Sequence, residues 1–175
     1  MVELKNQNFE ENKAKYNAVK DRLLELLGGD VCVDHVGSTA IPDICGKNII
    51  DVLVGADNQQ DFQNKLNSIA GEGYFASQNS KSEIYQFFAS KQGETGDGDV
   101  HIHLVIKGTD RYEDFLKLRD YLLACPKEAE AYSNHKKELI ELGVTDRKEY
   151  RRVKSEYVSA MIDRARAFAE EMEMR

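Results

Sequence analysis

Apolar residues recur at helical spacing between Phe9 and Leu27, at Phe9, Tyr16, Val19, Leu23, Leu26 and Leu27, and predict a helix that Gly28-Gly29 ends. Val31 to Val36 reads as a strand. Asn48 to Val54 reads as a second, central one, because it is apolar on both faces. Asn58 to Ala70 returns to helical spacing and stops at Gly71 and Gly73. Tyr74 to Ser77, Ile84 to Ser90 and Val100 to Lys107 read as strands, the last two joined as a hairpin. The connecting run Gly93-Glu94-Thr95-Gly96-Asp97-Gly98-Asp99 is a turn; its Asp-Gly-Asp lacks the rest of a calcium-loop pattern and reads as solvated.

Beyond Gly108 the pattern is helical to the end. Asp110 with Glu113, and Asp146 with Glu149, have capping-box spacing, and Pro126 fits the first turn of a helix between them. The last helix carries one stripe, Tyr150, Val153, Tyr157, Met161, Ile162, Ala165 and Phe168, whose tyrosines read as core packing. Helix, two strands, helix, three strands, then helices describe an α/β (α+β) domain: a mixed sheet with helices on one face and a helical C-terminal part.

The 175 residues fit one domain, 1–175, with a core over about 1–108 and helices over about 109–175. A formal net charge of -7 excludes broad electrostatic binding to nucleic acid but leaves room for a local basic pocket. Cys32, Cys45 and Cys125 have no Cys-x-x-Cys spacing, so reduced thiols and a cytoplasmic location are expected, without a cysteine-based structural zinc. Met1 to Asn12 is charged and lacks the apolar segment of a signal peptide, and no run reaches membrane-spanning length.

The candidate chemistry begins at Asp51, a single acid in the apolar run Ile49 to Val54. A carboxylate buried without a partner is expensive, so Asp51 requires a buried polar network or a metal ion. Two-metal phosphoryl transfer sites pair acids at i and i+2, and position i+2 here is Leu53, so that pattern is half present. Gly37-Ser38-Thr39 follows the preceding strand and offers backbone N–H groups and two hydroxyls to phosphate oxygens. His35 either touches phosphate or positions that loop. His101 and His103 project from one face of their strand, with Asp99 on the same face, and suit zinc, manganese or iron. If their strand lies beside that of Asp51, the three side chains converge. Lys47, Arg119, Arg151, Arg152 and Lys154 are the cations available to a triphosphate; helical position alone does not say which face a cleft. The Gly-x-Ser-x-Gly elbow, the Walker A motif and the dinucleotide fingerprint are all missing.

Four blocks together resemble the GrpB family: His35-Val36-Gly37-Ser38-Thr39-Ala40-Ile41-Pro42, Lys47-Asn48-Ile49-Ile50-Asp51, His101-Ile102-His103-Leu104 and Leu118-Arg119-Asp120-Tyr121-Leu122. Tyr150 to Tyr157, with Lys154, looks like that family's ending. The resemblance spans nearly the whole chain. It implies a polymerase-beta-like nucleotidyltransferase fold in which Gly37-Ser38 and Asp51 form a nucleotide-binding corner. Relatives fused to dephospho-coenzyme A kinase imply a nucleotide or coenzyme-like ligand. Leu53 departs from the wider superfamily, where a second metal-binding acid is expected, and weakens the case for two-magnesium transfer.

The expectation is therefore a metal-dependent enzyme. It would move a nucleotidyl or related phosphoryl group from a nucleoside triphosphate to a small acceptor. Gly37, Ser38 and Thr39 would hold phosphates, with Lys47, Arg119 and Lys154 stabilising charge. Asp51, His101 and His103 would hold magnesium, manganese or zinc, or the histidines would shuttle a proton; one ring nitrogen cannot do both. The alternatives are a non-catalytic nucleotide- or coenzyme-binding module and a metal-binding protein with no nucleotide role.

Overall fold

The computed structural model describes residues 1–90 and 98–174, so the Gly93 to Asp97 part of the expected turn lies outside the described residues. A short strand β1 (Lys5–Asn6) precedes helix α1 (Phe9–Leu27), which covers the span its apolar spacing predicts. Next come β2 (Val33–Val36), a single 3-10 turn (Ser38–Ala40), β3 (Cys45–Gly46) and β4 (Ile50–Ala56). Helix α2 (Gln59–Gly71) leads to β5 (Tyr74–Ser82), β6 (Tyr85–Ser90) and β7 (Val100–Ile106). Helices α3 (Asp110–Ala124), α4 (Pro126–Glu141) and α5 (Arg147–Glu173) complete the chain.

The main sheet has the order β2-β4-β7-β6-β5, and β1 pairs with β3 in a separate ribbon. β4 and β7 run parallel and the other pairs antiparallel, so the sheet is mixed. β4 is an interior strand, second in the order beside the central β7, and is buried on both faces, as its apolar run implies. One face carries Val52, Val54, Ile102 and Leu104 into a core with Leu23 of α1 and Phe62 and Ile69 of α2. The other presents Val36, Leu53 and Val105 to Tyr112 of α3. A third apolar cluster joins Ile41 and Ile44 to Tyr121, Tyr132, Met161 and Ala165, locking the helical part onto the loop before β4.

Several boundaries depart from the sequence reading. β4 begins at Ile50 because Asn48 adopts a left-handed φ of 57°, which breaks extension. β5 continues to Ser82 through the polar run after Ser77; it is an edge strand with an irregular register between Ala76 and Lys81, so alternation does not mark it. α3 is capped by Thr109, whose hydroxyl accepts from Tyr112 N, and not by Asp110. Asp146 caps α5 as its spacing predicts, accepting from Lys148 N and Glu149 N. Among the described residues no helix is long and apolar enough to cross a membrane.

Candidate functional site in the cleft between sheet and helices

The parallel register sets Asp51 opposite His101 and Leu53 opposite His103. Strand alternation sends Asp51, His101 and His103 to the α3 face of the sheet. There Asp51 Oδ1 lies 3.2 Å from His101 Nδ1 and 3.4 Å from His103 Nε2. Burial pushes the Asp51 carboxyl up, but the hydrogen bonds and charges of His101 and His103 outweigh it and hold the group well below the usual carboxylate range. An ionised carboxylate only accepts, so the two facing ring nitrogens carry protons. On its other side, His103 Nδ1 lies 3.1 Å from the Tyr85 hydroxyl. Phe115 and Phe87 pack on the His103 ring at centroid distances of 4.6 and 5.5 Å.

The three side chains that spacing singled out do meet, and they meet as a hydrogen-bonded group. Among the described residues no three His, Cys, Asp or Glu side chains stand in an arrangement that holds a metal ion as they are. The donor set itself, one carboxylate and two imidazoles, suits zinc or manganese better than magnesium alone. A metal at Asp51 would have to replace the protons now shared with the imidazoles. Asp99 is not part of the group, because its carboxylate accepts from Ser90 Oγ at 2.7 Å.

The Gly-Ser-Thr turn divides into three roles. Gly37 has a φ of 71°, and a Cβ there would overlap Asp51 Oδ2 and lie 2.9 Å from Asp51 Cβ and Cγ. Ser38 faces the cleft. Thr39 does not: it is 1% exposed, and its Oγ1 lies 2.9 Å from His35 Nε2. His35 sits on the opposite face of the sheet from Asp51, stacked on Tyr16 with centroids 4.4 Å apart. Its pKa is pushed down to about 4 by burial, opposed by Asp51 and aided by Arg119, so it is neutral near pH 7 and positions the loop.

A cleft of about 1100 Å³ opens over this group, walled by the sheet on one side and α3, α4 and α5 on the other. Lys47 and Lys154 line it as expected. Arg119 does not; it bonds Asp34 Oδ1 at 3.0 Å and Asp120 Oδ1 at 2.7 Å. Arg152 is spent on Glu156 at 2.7 Å. Arg151 lines the cleft too, and Arg111, Lys136 and Arg147 join from positions the sequence did not single out. Among the described residues, six cationic side chains and three carboxylates, those of Asp51, Asp110 and Asp114, therefore line the cleft of a chain whose net charge is -7.

Lys136 is the residue that sequence reasoning missed most plainly. It is 2% exposed, its ammonium donates to Cys45 O, and it sits 4.4 Å above the Tyr132 ring. Burial pushes its pKa down to about 8, with Cys45 opposing and Lys154 adding. The signal was present in α4: Ala129, Tyr132, Ser133, Lys136 and Leu139 form one buried stripe with a lysine inside it. Lys154 is likewise lowered, first by burial and then by Lys47 and Arg151, against the pull of Asp51.

The chain is 30% identical over 150 residues to the UPF0157 protein SCO7215 of Streptomyces coelicolor, covering 83% of this chain and 75% of that one. It is 32% identical over 135 residues to the UPF0157 protein PA4798 of Pseudomonas aeruginosa, covering 77% of this chain and 55% of that longer protein. The crystal structure of conserved protein GrpB from Enterococcus faecalis superposes with a TM-score of 0.79 at 20% identity, over 93% of this chain and 96% of that one, and so shares the fold. The GrpB protein family model matches residues 2–164, and the chain belongs to the GrpB family.

Proposed function

We propose that the cleft binds a nucleoside triphosphate and, with a divalent metal, transfers a nucleotidyl or related phosphoryl group to a small acceptor. The observation that carries this reading is the concentration of six cations around one carboxylate–imidazole group in an acidic protein. Burial disfavours the charged ammonium groups of Lys136 and Lys154, and phosphate oxygens restore what burial removes. Lys47, Lys136 and Lys154 would take phosphate oxygens, with Arg151 free to bind bidentately and Ser38 offering a hydroxyl. Asp51, with His101 and His103, would hold the metal, which supplies neutralisation of charge on the transferring group. A histidine left out of that metal shell would instead serve as the base for the acceptor hydroxyl, since one imidazole cannot do both at once. Three free thiols support a cytoplasmic location.

Leu53, 0% exposed, stands where a second metal-binding acid would be expected and favours a second reading, a nucleotide- or coenzyme-binding module without turnover. One calorimetric series tests both. ATP, GTP, CTP and UTP are titrated with magnesium, manganese or zinc into wild type and Asp51→Asn. Metal-dependent binding that weakens in the variant is expected. The absence of binding in every combination would overturn the nucleotide reading. Acceptor-dependent release of diphosphate or nucleoside diphosphate then separates transfer from binding alone.

A further inference from the structure

The side of α5 that faces the cleft changes character along its length. Arg147, Tyr150, Arg151, Lys154, Val158 and Ile162 line the cleft at spacings of three and four, so they form one stripe. At 1.5 Å per residue that stripe is roughly 22 Å long. Its first half is cationic, its middle carries the hydroxyls of Ser155 and Ser159, and its far end is apolar.

The opposite walls change in step. Lys136 and Lys47 act electrostatically on the cationic half, where Lys154 lies. At the apolar end Val158 and Leu118 of α3 pack on one cluster, and Arg166, one turn beyond Ile162, is fixed to Asp114 by bonds of 2.7 and 2.8 Å. Phe115 is the next residue of α3, and it rests on His103 with Phe87 beside it. The Asp51–His103 pair therefore sits between a cationic end and an aromatic end.

Resting on the nucleotide reading above, we infer that the ligand lies along α5 with its polyphosphate at Lys136, Arg151 and Lys154 and its base against Phe115 and Phe87. A phosphate chain needs charge and no particular face, whereas a heterocyclic base needs a flat apolar partner; the two ends of this cleft supply one each. Phe115 is then a base-binding residue on the His103 side of the cleft.

The test compares ATP with inorganic tripolyphosphate by calorimetry on wild type, Phe115→Leu and Lys154→Met. Wild type is expected to bind ATP about tenfold or more tightly than tripolyphosphate, the advantage that stacking of one base supplies. Phe115→Leu should remove that advantage and leave tripolyphosphate binding unchanged, which also shows that the variant is folded. Lys154→Met should weaken both ligands by the same factor. Equal affinity of ATP and tripolyphosphate for wild type would overturn the inference and leave the phosphate site standing. An ATP advantage that survives in Phe115→Leu would overturn it as well. No binding of either ligand to wild type would bring down the nucleotide reading itself.

Discussion

The Asp51 carboxyl group fills the space that a side chain on Gly37 would need. β2 ends beside the acid, with Val36 paired to Asp51, and the chain then turns at a left-handed φ of 71°. The glycine is thus required twice, by its backbone angle and by its neighbour.

Gly37→Ala is expected to destabilise the fold by about 2 to 4 kcal/mol, combining overlap with left-handed strain. In an Asp51→Gly background, which also removes the Cβ that would lie 2.9 Å away, the same change should cost only about 1 kcal/mol, because the strain remains and the overlap does not. Urea unfolding of the four proteins measures the coupling. Additive effects would show that the glycine serves the turn alone.

Lys136 predicts an alkaline rise in stability. Its folded pKa of about 8 lies below the ordinary lysine value of 10.5. Between those values the unfolded chain binds the more protons, so stability increases with pH; below about pH 8 the lysine is charged in both states and the burden of burial is fully present. Unfolding free energies across that window should rise in wild type and rise less steeply in Lys136→Met. Affinity for tripolyphosphate should move the other way, falling as pH passes about 8 and the free protein loses the charge.

His35 predicts the acid side. Its folded pKa of about 4 is below the usual 6.5, so its contribution is complete above pH 6.5 and is lost as the pH falls towards 4. In that window the unfolded chain takes up a proton that the folded ring, stacked on Tyr16, refuses. His35→Phe should flatten the slope of stability against pH between those limits. A slope identical to wild type would place the acid sensitivity elsewhere.

Arg119 separates stability from binding. It holds Asp34 on β2 and stays out of the cleft. Arg119→Gln is expected to lower stability by about 1 kcal/mol, the scale of a part-exposed ion pair. Nucleotide and tripolyphosphate affinities should be unchanged. A loss of affinity without a loss of stability would return Arg119 to the binding site.

Much of the arrangement was legible in the chain because it follows from periodicity. Alternation alone puts His101 and His103 on one side of a strand, and an apolar run with one acid marks β4 as interior; pairing β4 with β7 then brings the three groups together. The cations were not legible to the same degree. A helix shows which residues share a face, but the neighbour of that face is set by tertiary packing, so Arg119 and Lys154 read alike until α3 and α5 are docked. Thr39 shows the limit of motif reading. Beside Gly37-Ser38 it looks like a phosphate ligand, yet the tight turn rotates its hydroxyl to His35 behind the sheet.

The parallel pairing of β4 with β7 has one more consequence. The acid and both imidazoles are placed by main-chain register between strands, and α2, β5 and β6 form an excursion that leaves from one strand and returns to the other. Phe87 and Tyr85, which contact His103, belong to that excursion. The length and sequence of that excursion can therefore change without altering the main-chain register that pairs Asp51 with His101. The aromatic wall and the acid–imidazole pairing thus lie partly on separable stretches of the chain.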